Sequence, residues 1–188
     1  NKIIAPIPLK YTKSMENAQK LRKLCESKIN QPIIGFKAAG TGIPVLKKLG
    51  EKEPFYASIF KNNVLKSGKS VKTNPYTLGI ELEVGYLIKK NFFQSKGLIN
   101  FKNIHKYISH MMSVIEVIGY RQKKKGIKFL GDLCSDFGAN VKFVIGTKDK
   151  YKKINFEKLK SSIENKKIKQ LVSGHTNTVY LNPLNSLR

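Results

Sequence analysis

The stretch Leu78-Gly-Ile-Glu-Leu-Glu-Val-Gly-Tyr-Leu-Ile88 is apolar except for Glu81 and Glu83, and it constrains the chain more than any other segment. A β-strand sends residues i and i+2 to one face, so the two carboxylates point together while Ile80, Leu82 and Val84 point the other way. Two like charges at that separation repel unless a proton, water or cation intervenes. Acids are also scarce, 12 Asp and Glu against 36 Lys and Arg in 188 residues, so acids inside apolar runs call for a reason. A third, Glu116, lies in Val114-Ile-Glu-Val-Ile118 and would complete a three-carboxylate cage for a hard divalent ion. On residues alone two readings stay open. One is such a cage, for Mg²⁺ or Mn²⁺ rather than zinc because every donor is oxygen. The other is a set of acids neutralised by some of the many lysines.

Hydrophobic residues at 40% and charged residues at 26% describe a folded globular chain of single-domain size. The net charge of +24 first suggests a polyanion partner. Yet Arg occurs only at 22, 121 and 188, and nucleic-acid readers lean on the planar guanidinium. The scattered lysines read as a compositional drift toward Lys, Asn and Ile rather than a selected nucleic-acid surface, and leave electrostatic contact with RNA open. Lys123-Lys124-Lys125 and Lys152-Lys153 read as solvated loops. Cys25 and Cys134 form no CxxC, so a reducing compartment is expected, the cytoplasm or an organelle matrix. No apolar run approaches the ~18 residues of a membrane span, and no signal-peptide pattern is visible. A first residue Asn suggests a processed or truncated start.

The periodicities predict one α+β domain with a mixed sheet over 1–188. Ser14 caps a helix over 14–29, a core follows over 32–146, and a C-terminal segment spans 155–188. Within the core, Pro32-Ile-Ile-Gly-Phe-Lys-Ala-Ala39 reads as a buried strand. Thr41 is the expected cap of a short helix ending near Leu49, with Gly50 as its stop. Phe55–Phe60 is strand-like, and Asn62-Asn63 and Ser67-Gly68 are turns. Phe101, Ile104, Ile108, Met111 and Met112 follow helical spacing, which predicts a helix over about 101–112. Phe129–Leu133 is a short apolar stretch. Ala139–Ile145 alternates as a strand stopped by Gly146, and Phe156 to about Glu164 reads as a helix.

Lys37 lies on the first of these strands, just before a glycine turn. It is either a snorkelling surface lysine or an ammonium that steadies an enolate or a substrate carboxylate. Amides following Thr41 and Gly42 would hold the same carboxylate. Gly40-Thr-Gly42 fits no GxGxxG or Walker pattern, so no nucleotide cofactor is expected. His105, His110 and His175 show no paired-ligand spacing and read as structural or exposed.

Four blocks carry a likeness: Pro32-Ile-Ile-Gly-Phe-Lys-Ala-Ala39, Gly79-Ile-Glu-Leu-Glu-Val84, Val114-Ile-Glu-Val-Ile-Gly-Tyr-Arg121 and Ala139-Asn-Val-Lys-Phe-Val-Ile-Gly146. In this order and spacing the chain resembles the 2-keto-4-pentenoate hydratase group of the fumarylacetoacetate hydrolase superfamily, which also holds 2-oxohept-3-enedioate hydratases and 4-oxalocrotonate decarboxylases. The resemblance implies the mixed-sheet roll or barrel of the superfamily's C-terminal domain, shortened here at both ends. It implies Glu81, Glu83 and Glu116 as ligands to Mg²⁺ or Mn²⁺, Lys37 as the active-site lysine, and an oligomer. It further implies a lyase of aromatic catabolism acting on acids such as 2-hydroxypenta-2,4-dienoate: the dienol ketonises, and water adds at the far end of the conjugated system to give a 4-hydroxy-2-oxo acid. Decarboxylation or C–C hydrolysis are the neighbouring activities. Three departures stand out. Phe55 replaces an acid common in the family, Asp136-Phe137-Gly138 replaces Asp-Asn followed by small residues, and Leu181-Asn-Pro-Leu184 replaces Gly-His-Pro-Leu. They leave room for a non-catalytic structural or interaction subunit descended from the fold, including one in an RNA-containing assembly.

Overall fold

A computed structural model describes residues 2–94, 97–122 and 126–187 of the chain. Two helices open it, α1 at Leu9–Thr12 and α2 at Met15–Ser27. Ser14 stands at the N-cap of α2 without a side-chain capping bond. The strand β1, Ile33–Ala39, pairs antiparallel with β2, Phe55–Phe60, across the short helix α3, Ile43–Leu49. Gly50 ends α3 at φ 73°, the left-handed cap that glycine adopts without Cβ strain, and its N–H bonds to the carbonyls of Leu46 and Lys47.

The central sheet runs in the order β3 (Val64–Lys66), β6 (Asn140–Lys150), β5 (Ile108–Gly119), β4 (Thr77–Ile88). β3 lies parallel to β6 and the other pairs are antiparallel, so the sheet is mixed as expected. Before β6 stands α4, Leu130–Ser135, and a final antiparallel pair is formed by β7, Lys160–Asn165, and β8, Gln170–His175. One core joins the helices to the first strand pair through Ala18, Ala39, Leu46, Phe55, Ala57, Leu130 and Cys134. Another gathers Ile104, Ile108, Phe156 and Leu184 beside the central sheet.

Several expectations change. The helix expected over 101–112 is a single 3₁₀ turn, Ile104–Tyr107, followed by β5. The apolar spacing is real, since Ile104 and Ile108 are both buried, but pairing with β4 on one side and β6 on the other overrides it. The helix expected at 156–164 is likewise one 3₁₀ turn, Phe156–Lys158, after which the chain extends as β7 to meet β8. The apolar stretch 129–133 enters α4, with Phe129 as its extended N-cap and Leu130–Leu133 helical. Gly146 does not stop β6. A Cβ there would meet the Ser113 hydroxyl at 2.6 Å, so the glycine admits close approach of β5 beside a register shift. Thr41 is not the cap of α3, because that place falls to Gly42, with Pro44 in the first turn. Lys152 and Lys153 are exposed, whereas Lys123–Lys125 lie outside the described residues.

Candidate carboxylate site

The β4–β5 pairing sets the site. Glu81 stands directly opposite Glu116, and Glu83 opposite Val114. Alternation then places Glu83 on the same face two residues along, so all three acids converge. One carboxylate oxygen from each lies within 4.8 Å of the other two. Burial is graded across the cluster: Glu81 is exposed, Glu83 half-buried, and Glu116 only 1% exposed. Ile80 and Leu78 on the opposite face of β4 are exposed, so that face of the strand does not form an apolar core.

Lys37 arrives from the other sheet. On β1 it faces Ala57 of β2, and its Nζ donates to Glu116 Oε1 at 2.5 Å and to the Gly138 carbonyl at 2.9 Å. It does not snorkel to solvent, having its charged end in the acidic cluster. An ammonium has three N–H donors, and the third has no protein acceptor among the described residues.

Burial pushes the Glu83 carboxyl up to about 7, with the Glu116 charge adding to it and Lys37 opposing. Glu116 is also pushed up to about 7 by burial, against the pull of the Lys37 ammonium bonded to it. One ammonium therefore faces three carboxylates, and protons or a further cation must balance the rest. An all-oxygen donor set of this spacing, with anionic charge in excess, fits a hard divalent cation and not zinc.

Thr41 and Gly42 are half-buried at the entry to α3, and the Thr41 carbonyl accepts from the Tyr180 amide. Among the described residues no hydrogen bond joins either of them to the carboxylates. Phe55 is a core residue, 5% exposed and opposite Ala39. The histidines stay apart from the cluster. His105 Nδ1 bonds to the Tyr151 hydroxyl at 2.5 Å, beside a cavity of about 210 Å³ lined by Phe101, Lys153, Asn155 and Asn182 among others. His110 bonds to the Ser109 hydroxyl, and His175 ends β8.

Sequence reasoning noted Asp136, Gly138 and Arg121 but missed the contact of the Gly138 carbonyl with Lys37 and the pairing of Asp136 with Arg121. Asp136, 2% exposed, pairs with Arg121 at 2.8 Å in the turn before β6. The available signal was compositional, since Arg121 is one of three arginines among 36 basic residues and Asp136 one of 12 acids.

The architecture is a short pair of strands set against a mixed sheet that carries the acids. Solved structures of 4-oxalocrotonate decarboxylase from Pseudomonas putida G7 share it. The form complexed with calcium and acetate superposes with a TM-score of 0.77 over 98% of this chain and 70% of that one, at 15% identity. The form complexed with magnesium and adipate gives a TM-score of 0.70 over 98% and 71%, at 16% identity. The resemblance read from the four sequence blocks thus holds at the level of the fold. No protein-family model and no curated protein sequence matches the chain. No helix among the described residues is long and apolar enough to cross a membrane.

Proposed function

We propose that this chain is a divalent-metal-dependent lyase acting on 2-hydroxydienoic or 2-oxo acids, with hydration of 2-hydroxypenta-2,4-dienoate as its reaction. The observation that carries this reading is the convergence of Glu81, Glu83 and Glu116 to within 4.8 Å with the Lys37 ammonium bonded to the deepest of them. Those three carboxylates would hold Mg²⁺ or Mn²⁺. When bound, the ion supplies a Lewis acid that offsets negative charge building on a 2-oxo oxygen as an enolate forms. Lys37 contributes its remaining N–H as a fixed donor to the substrate carboxylate or the enolate oxygen, already aimed by Glu116 and Gly138. The exposed Glu81 end is the side from which a small acid and its water would enter, and the buried Glu116 end excludes solvent. Phe55 lies in the core and offers no proton-transfer group, so the proton steps fall to water and the cluster itself.

The test is consumption of 2-hydroxypenta-2,4-dienoate, followed by loss of dienol absorbance with Mg²⁺ or Mn²⁺ and with a chelator. Metal-dependent formation of a 4-hydroxy-2-oxo acid supports the reading. A second reading, decarboxylation of an unsaturated 2-oxo dicarboxylic acid, is favoured by the activity named for the solved structures of this fold. Carbon dioxide release from such a substrate, without hydration of the dienoate, would select it. Absence of turnover together with absence of Mn²⁺ binding by calorimetry would sink both and leave a non-catalytic relative of the fold.

A further inference from the structure

The segment joining α4 to β6 holds three consecutive residues in the left-handed region: Phe137 at φ 55°, Gly138 at 67° and Ala139 at 61°. For residues with a Cβ this conformation costs about 1–2 kcal/mol each, and it persists only where the surroundings over-determine it. Here they do so through one guanidinium. Arg121 Nη1 donates to Asp136 Oδ1 at 2.8 Å and its backbone N–H to Asp136 Oδ2 at 2.7 Å, which fixes the entry to the turn. Arg121 Nη2 donates to the Asn140 carbonyl at 2.8 Å, which fixes the exit. The Asn140 side chain then closes the loop on itself, Nδ2 donating to the Phe137 carbonyl at 2.7 Å.

What this turn presents is the Gly138 carbonyl, which accepts from Lys37 Nζ at 2.9 Å. Gly138 also has no room for a side chain. A Cβ there would stand 3.3 Å from Lys37 Cε, 3.1 Å from Ala39 Cβ and 3.4 Å from Ala57 Cβ. The turn therefore touches the lysine twice, through a hydrogen bond to its ammonium and through packing against its stem.

We infer that Arg121, Asp136 and Asn140 are positioning residues for Lys37, acting through the left-handed turn at Gly138. This rests on reading Lys37 as the cation of the carboxylate site. The cluster reaches no carboxylate of that site by any hydrogen bond among the described residues. Its effect is to fix where the ammonium sits, and with it the direction of the N–H left for substrate. A lysine at 121 has one ammonium and cannot span Asp136 and the Asn140 carbonyl as the guanidinium fork does, which explains an arginine in a chain that otherwise uses lysine almost throughout.

The test reads the lysine directly and needs neither metal nor turnover. In the full chain labelled with ¹⁵N at lysine Nζ, an ammonium held by protein acceptors exchanges slowly enough to give a cross-peak at low temperature, and solvated ones do not. A cross-peak abolished by Lys37→Met is expected. It should be lost or broadened in Arg121→Lys and in Gly138→Ala, and retained in Leu184→Ala, a destabilising change in the separate core beside the central sheet. Gly138→Ala removes no atom of the Arg121–Asp136 pair and serves if Arg121→Lys does not fold. No Lys37 signal in the unaltered protein, or an unchanged signal in folded Arg121→Lys (in Gly138→Ala where Arg121→Lys does not fold), overturns the inference. A protected Lys37 in a protein without turnover would defeat the lyase reading and leave this one standing.

Discussion

Two cation–carboxylate pairs lie about equally deep in this molecule, and they are built in opposite ways. Asp136 and Arg121 are saturated: both carboxylate oxygens receive N–H donors, and the remaining arm of the guanidinium bonds to a carbonyl. Glu116 and Lys37 are not. The carboxylate has two further acids within 4.8 Å, and the ammonium keeps an N–H without a protein acceptor among the described residues. Burial raises the carboxyl in both places, yet only at the second is there surplus charge for a ligand to neutralise. The first pair has its hydrogen-bonding valences filled, and the second has valences left over.

The contrast can be broken most sharply at the saturated pair. Arg121→Met should destabilise the protein by about 3–5 kcal/mol, the usual cost of stranding a buried charge, read from urea unfolding. A loss below ~1 kcal/mol would mean that Asp136 is not held as described. Next comes Glu83→Gln, which should weaken Mn²⁺ binding by about 100-fold or more in calorimetric titration, exceeding the effect of removing an outer-shell partner. Unchanged affinity would remove the cage assignment.

A third expectation concerns pH. The folded-state values near 7 for Glu83 and Glu116 exceed the ordinary 4.5, so between those limits the native state binds more protons than the unfolded chain. Stability without metal should therefore fall as pH rises from 4.5 to 7 and level off above. In a chelator the wild type should lose on the order of 2 kcal/mol more than Glu116→Gln across that window. An equal slope in the two proteins would show that Glu116 does not titrate there. Saturating Mn²⁺ should abolish the wild-type slope. Smallest is Glu16→Gln on the exposed face of α2, where loss of the solvated pair with Lys20 should leave the urea midpoint essentially unchanged.

Much of the site was legible because its parts lie in short periodic segments. Glu81 and Glu83 declare a shared face by spacing alone, and Lys37 and Glu116 sit in apolar runs that read as strands. β1 is not the buried strand expected, however, since Ile33, Ile34 and Phe36 are exposed. The pairing that unites them was not legible, since the contact between Lys37 and Glu116 spans 79 residues and two sheets. Residues 101–112 misled because a 3₁₀ turn followed by a strand buried Ile104 and Ile108 at a helical interval. The turn at 137–139 was invisible for a different reason. Phe and Ala carry no signal for left-handed backbone, and what imposes it is a guanidinium some fifteen residues upstream.

The register of β4 against β5 has one more consequence. Pairing is regular from Gly79 to Leu87, with shifts confined to its two ends. A slip of one residue would carry Glu81 and Glu83 to the far side of the sheet, away from Glu116 and Lys37. With the proposed ion held by these three acids, cation uptake and correct strand alignment would be the same event seen by two probes. During refolding, the appearance of Mn²⁺ affinity would time the moment at which this hairpin locks, and a misaligned hairpin would betray itself by failing to take up the ion.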